Sequence, residues 1–341
     1  MAKRLKPSLA NPRSASGTEI IGGKSYKAIA AFWPHETEDR RRNEMEEIGK
    51  LIGKGFGIWK KNLNLCVPFI FSGFASILIV AAFFIAMFLA AMPFLGEDWT
   101  HLEDLEDAEV MEGLFAGMDW QDFLPILILF LGMIVVLSLV GSYFNAGAIG
   151  MARQALVEGK SRTSAMWSAG RKHFWNMFLL SLIMGLATMA GLIFLLPGMG
   201  QLTLALSGNL DNLEGLGMIL AGFMLFILYA LILSVILALA PYALVLEGAG
   251  PVQAIRAGID FFRYNKFDVL ILWLVVMALS VVLQMIGSLI SSGNEVAYQL
   301  LSLATSLVSL LVLAPLANLW WTRLYMVRKG MLKEEEVKDP W

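Results

Sequence analysis

The chain has 341 residues, 57% of them hydrophobic and 16% charged, with a formal net charge of −2. Length alone would suggest two soluble domains, but so apolar a composition with positive mean hydropathy points to a polytopic membrane protein. The single cysteine, Cys66, excludes a disulfide framework and a cysteine-rich metal site, and no cofactor or nucleic-acid partner is implied.

Residues 1–47 read as a polar, partly disordered cytoplasmic tail, with Pro, Ser and Gly early and a charge cluster at 36–42. Lys3, Arg4 and Lys6 lead it without the apolar core and cleavage site of a signal peptide. Gly-Gly-Lys-Ser at 22–25 resembles part of a phosphate-binding loop, but Thr18 stands where that motif needs a glycine. From residue 48, Ile48, Leu51, Ile52, Phe56 and Trp59 recur at helical spacing, with Lys50, Lys54, Lys60 and Lys61 elsewhere around the helix. The expectation is an interfacial helix with its apolar face at the acyl boundary and its lysines among anionic headgroups.

A bilayer core of about 30 Å needs about 20 apolar residues in helix. Six runs meet that length without a charge: 65–95, 123–151, 177–197, 218–246, 269–290 and 300–321. The period-2 alternation of a membrane barrel is absent, so the fold class is all-α integral membrane, with 48–329 as the membrane domain and 330–341 as a second cytoplasmic tail. Lys and Arg number 13 before the first run, 5 between the second and third, 3 between the fourth and fifth, and 5 after the sixth. The other connections carry acid instead, with ten carboxylates between residues 96 and 122. The positive-inside bias therefore places both termini on the cytoplasmic side of an inner membrane. Trp59, Trp167, Trp175, Trp320, Trp321 and Tyr325 are expected to form the inner aromatic belt.

Three stretches share one pattern: a glycine, an aromatic four residues later, an asparagine, then an apolar run. They are Gly55, Trp59, Asn62; Gly170, Phe174, Asn176; and Gly258, Phe262, Asn265. Basic residues flank each, adding Arg171, Lys172 and Trp175 to the second and Arg256, Arg263 and Lys266 to the third as candidate headgroup contacts. The reading is three parallel repeats, each an interfacial amphipathic helix plus two spans, with Ala-Pro at 240–241 and 314–315 near the ends of the fourth and sixth spans. Close approach of a neighbouring span explains the repeated glycine, so Gly258→Leu should destabilise while Gly258→Ala should be mild.

Glu247, Gly248, Pro251, Ala254 and Gly258, followed by Phe262 and Asn265 and by Thr322-Arg-Leu-Tyr325, give the chain a likeness to a known family. It resembles the membrane domain attached to some bacterial glycerophosphodiester phosphodiesterases, and related stand-alone six-helix prokaryotic proteins of unknown function. The resemblance implies a fold and a location but no activity, because the enzymes' chemistry belongs to a separate barrel opening on His-Arg-Gly, and none of His35, His101 or His173 is followed by Arg-Gly.

Candidate chemistry is sparse. The acidic stretch could hold Ca²⁺ or Mg²⁺, yet its carboxylates lack a loop-type spacing, and a solvated acidic cap is the simpler reading. Ser280, Gln284 and Ser288 in the fifth run, with Ser302, Ser306 and Ser309 in the sixth, form polar stripes. Ser138 and Ser142 in the second run and Ser181, Gly185 and Thr188 in the third do the same. Such stripes commonly serve helix packing, and the alternative is a water-lined path. No run contains Asp, Glu or His, which argues against hydrolysis and coupled transport, and His173 is expected on the basic face beside Arg171 and Lys172. The sequence thus reads as a non-catalytic membrane-organising or accessory protein acting through lipid headgroups or a protein partner, with a channel or permease for a small solute as the alternative.

Overall fold

The computed structural model describes residues 47–91, 120–198, 213–290 and 295–332, all within the unit spanning residues 46–341. The amino-terminal tail and the acidic stretch at 96–119 lie outside the described residues. Every regular element among the described residues is helical: α1 (Ile48–Lys61), α2 (Val67–Ala91), α3 (Trp120–Glu158), α4 (Thr163–Met189), α5 (Leu213–Leu237), α6 (Ala240–Glu247), α7 (Pro251–Tyr264), α8 (Lys266–Ile290), α9 (Glu295–Val308) and α10 (Ala314–Arg328). Short 3₁₀ turns at Leu63–Cys66 and Ala190–Leu195 and a π turn at Ser309–Leu313 join or extend them.

Among the described residues, six helical stretches are long and apolar enough to cross a membrane: Leu63–Ala90, Leu124–Glu158, Thr163–Gly198, Gly217–Glu247, Lys266–Ile286 and Gln299–Arg328. Each overlaps one of the six apolar runs. The difference lies at their basic ends, where helix continues into polar sequence. Helix α4 starts at Thr163, fourteen residues before its apolar run, so the second junction is not a separate element but the first half of a continuous helix. Helix α3, with 39 residues, is about 58 Å long at 1.5 Å per residue, well beyond a bilayer core of about 30 Å.

Prolines explain two breaks. At Pro241 the helix stops at Leu237 and restarts at Ala240; at Pro315 it loosens into the π turn. Proline lacks the N–H that would bond the carbonyl four residues back, and its ring crowds that carbonyl. Leu311, four before Pro315, accepts instead the Cys66 thiol at 2.9 Å. The helices α3, α6 and α10 run out at Gly159, Gly248 and Gly330, which have φ of 72°, 70° and 67°. Only glycine adopts that left-handed conformation without a steric penalty, and it frees the chain to turn after the last helical residue.

The core gathers at the basic end. Ala146, Ile149 and Met151 from α3, Met166 and Met177 from α4, Leu244 from α6, Phe261 from α7 and Leu319, Leu324 and Tyr325 from α10 are all buried. Toward the other end the apolar side chains face outward, as at Phe74, Ile77, Leu127, Met224 and Leu303. An apolar solvent offers no hydrophobic penalty for that exposure, so these faces suit lipid.

Candidate functional site

The repeated glycines lie at matching places in their helices. Gly55, Gly170 and Gly258 each stand seven residues after the first residue of α1, α4 and α7. The residues three and ten after each helix start are buried as well: Leu51 and Ile58, Met166 and His173, Ala254 and Phe261. Spacings of four and three put these positions on one helical stripe. Each glycine is closed by another helix. A Cβ on Gly55 would lie 2.5 Å from Trp320 Cδ1 of α10; on Gly170, 3.0 Å from the Tyr143 ring of α3; on Gly258, 2.9 Å from the Ala240 backbone nitrogen of α6. Close approach is therefore real, but at Gly258 the obstacle is backbone, which leaves no room even for the methyl of alanine. The expectation that Gly258→Ala would be mild does not fit this geometry.

The aromatic four residues after each glycine is only half-buried at Trp59, Phe174 and Phe262, and the residue before it takes the core position. Consequently His173 sits on the buried stripe, 7% exposed, rather than on the basic face, because 173 follows Gly170 by three and the basic residues lie at one and two. Trp320, Trp321 and Tyr325 also depart from the expected aromatic belt: all are buried, because α1, α3 and α6 pack around α10. The Trp320 indole donates to the carbonyl of Ile52 at 3.1 Å. Trp167 and Trp175 are exposed, as boundary residues would be.

Two asparagines close helices. Asn62 ends α1, donating 3.0 Å bonds to the carbonyls of Ile58 and Gly159 and accepting from the Ser161 N–H at 2.8 Å, so one amide ties α1 to the turn between α3 and α4. Asn265 ends α7 and donates to the Phe261 carbonyl at 3.1 Å. Asn176 lies mid-helix in α4 and closes nothing. Further along the basic end, Glu247 of α6 accepts from the Tyr325 hydroxyl at 2.5 Å and pairs with Lys329 at 2.9 Å, while Asp268 of α8 pairs with Arg328 at 2.8 Å. The Phe261 ring stacks on Tyr325 at 4.9 Å. Glu247 and Tyr325 stood out in sequence only as parts of two distant motifs; nothing in their spacing of 78 residues foretold the bond.

Among the candidate headgroup residues, Lys50, Lys60, Lys61, Arg171, Lys172, Arg256, Arg263 and Lys266 are exposed and Lys54 is half-buried. The apolar face of α1 is divided. Leu51 and Ile58 are buried in the protein core, leaving Phe56, 48% exposed, to meet a lipid phase.

The polar stripes separate into two uses. Between α3 and α4, Ser142 donates to Ser181 at 3.4 Å, a bond across a packed interface. Between α8 and the α9–π turn segment, Ser280, Gln284, Ser306 and Ser309 meet around a cavity of about 490 Å³, joined by Thr305, which the sequence reading passed over. Thr305 lies between two predicted positions and was masked by the four-residue spacing. Ser302 does not line the cavity, and the side chain of Ser288 lies outside the described residues. A second cavity, about 680 Å³ and wholly apolar, lies between α2 and α3 around Phe83 and Phe130.

A relative from the archaeon Archaeoglobus fulgidus, described as an uncharacterized protein, is 24% identical over 300 residues, covering 85% of this chain and 98% of its own length. No solved structure matches the chain. The model of a domain of unknown function, DUF7847, matches residues 77–325, from within α2 to near the end of α10. With most of the six-helix region inside that match, the chain belongs to the DUF7847 family of uncharacterised domains.

Proposed function

We propose that this protein is a non-catalytic, membrane-organising or accessory protein that holds anionic lipid headgroups at its basic end through three quasi-equivalent units. The observation that carries the reading is the placement of charge: Lys50, Lys60, Lys61, Arg171, Lys172, Arg256, Arg263 and Lys266 all point away from the buried stripes of α1, α4 and α7. Such a ring of cations suits an anionic leaflet, each residue near the surface contributing about 1 kcal/mol. Three units also account for the glycine contacts. Gly258 of the third faces α6 of the second, Gly170 of the second faces α3 of the first, and Gly55 of the first faces α10 of the third, so the contacts close on themselves as parallel repeats around an axis along the membrane normal would. The three terminating glycines recur in the same order. Both chain ends lie on the cytoplasmic side in this reading, and the resemblance to phosphodiesterase-linked membrane domains fits an accessory role.

The test uses the whole protein, because α1 packs on α10 and would not keep its conformation as a peptide. Purified protein in neutral micelles is titrated with phosphatidylglycerol or with phosphatidylcholine while thermal unfolding is followed. The anionic lipid should raise the midpoint in a salt-sensitive manner, and replacing Lys50, Lys60, Lys61, Arg171 and Lys172 by Gln should remove a few kcal/mol of that gain. Equal effects of the two lipids would sink the proposal. The alternative, a channel or permease for a small solute, draws on the cavity beside Gln284, and solute flux into proteoliposomes separates the two.

A further inference from the structure

We propose that the groove between α8 and the α9–π turn segment binds an uncharged, hydroxyl- or amide-bearing amphiphile. Among the described residues, the polar groups there are only partly used by the protein. Ser280 donates to the carbonyl of Val276 at 2.9 Å and Thr305 to that of Ser302 at 3.0 Å, each within its own helix. The Gln284 amide and the hydroxyls of Ser306 and Ser309 make no hydrogen bond with any described residue. A primary amide carries two donors and an acceptor, and a ligand hydroxyl or amide seated in the groove would meet them. At 1.5 Å per residue Gln284 lies about 27 Å along α8 from Lys266, in the half of the spans farthest from the basic end.

The contrast with Ser142 and Ser181 is informative. There the same residue type bonds across a tight interface, whereas here the helices stand apart around about 490 Å³, within the ~300–1,000 Å³ range of ligand pockets. The π turn at Ser309–Leu313, forced by Pro315, widens the backbone at the floor of the groove. The ligand class follows from the walls. Among the described residues no charged side chain lines the groove, which disfavours a phosphate or carboxylate head, while Leu283 and Leu310 beside the polar groups call for an apolar portion in the same molecule. A neutral lipid from the membrane and a free polyol share the recognised hydroxyl chemistry. The apolar wall favours the former.

Binding of a fluorescent dioctanoylglycerol to the whole protein in detergent tests this, with glycerol, dioctanoyl phosphatidic acid and unlabelled dioctanoylglycerol as competitors. Saturable binding is expected, weakened roughly tenfold by Gln284→Leu, about 1.4 kcal/mol, and a few-fold by Ser306→Ala, with Gln284→Asn between wild type and Gln284→Leu. Ser142→Ala should leave it unchanged. Thermal unfolding of each variant checks folding, and Ser306→Ala and Gln284→Asn carry the test if Gln284→Leu does not fold. Competition by dioctanoylglycerol alone supports the proposal with a membrane lipid as source, and equal competition by glycerol would overturn the need for an apolar portion. Non-saturable binding, equal loss in Ser142→Ala, or equal competition by the phosphatidic acid would overturn it. So would a Gln284→Leu effect confined to cross-linking between copies of the chain, which would mark the face as a self-association surface.

Discussion

Asn62 completes three hydrogen bonds with one side-chain amide, and all three partners are backbone groups at helix ends. Removing it orphans the buried Ser161 N–H and frees the exposed Gly159 carbonyl, and a buried polar group left without a partner costs about 1–3 kcal/mol. Asn62→Ala should therefore lower stability by about 2–3 kcal/mol in thermal or denaturant unfolding in a single detergent. Asn62→Asp retains the acceptor for Ser161 but sets a carboxylate oxygen against the two carbonyls, and should cost at least as much as Asn62→Ala. Asn265→Ala removes a single half-buried bond and should cost no more than about 1 kcal/mol. If the Asn62 and Asn265 changes proved equal, the tie from α1 to the α3–α4 turn would carry no energy. The three asparagines look alike in sequence; their different roles come from which chain segment passes beside each.

At the scale of the helix, the glycine stripes of α1, α4 and α7 rank themselves by what closes them. Overpacking a fitted interface typically costs about 1–3 kcal/mol, more when the obstacle cannot move. Gly258→Ala meets the Ala240 backbone and should be the most damaging, near the top of that range. Gly55→Ala displaces the Trp320 indole, which must give up its bond to Ile52, and should be intermediate. Gly170→Ala meets the Tyr143 ring at 3.0 Å and the Tyr143 carbonyl oxygen at 3.1 Å, tight but adjustable, and should be mildest. Unfolding midpoints of the three alanine variants give the order directly. The reverse order would mean that α6 moves away from α7 more easily than a ring rotates.

For the whole molecule, the distribution of basic residues predicts which ends of the helices face the cytoplasm, and the structure decides which positions can report it. Ser161 is buried and bonded to Asn62, and Gly248 has φ of 70°, so cysteines there would perturb the fold. Lys160 and Gln253 are exposed neighbours at the same end. In a Cys66→Ser background, which keeps a donor for the Leu311 carbonyl, cysteines at 160 and 253 should resist a membrane-impermeant thiol reagent in intact cells, while cysteines at 107 and 212 should react. Labelling at 160 from outside would reverse the assigned orientation.

The sequence by itself determined the class, the six apolar helices and the matched positions of the glycines, because each depends on local composition and on helical period. Hydropathy over about 20 residues reports spanning length regardless of what a helix packs against. The basic ends were less legible. Polar residues in α4 and α10 looked like interfacial segments, yet the tertiary structure buries His173, Trp320 and Tyr325 there. Burial at those ends depends on which helix covers which. The pairing of Glu247 with Tyr325, the backbone contact at Gly258 and the gathering of Gln284 with Ser306 were likewise decided only by tertiary structure, since each joins segments whose separation along the chain carries no signal of contact.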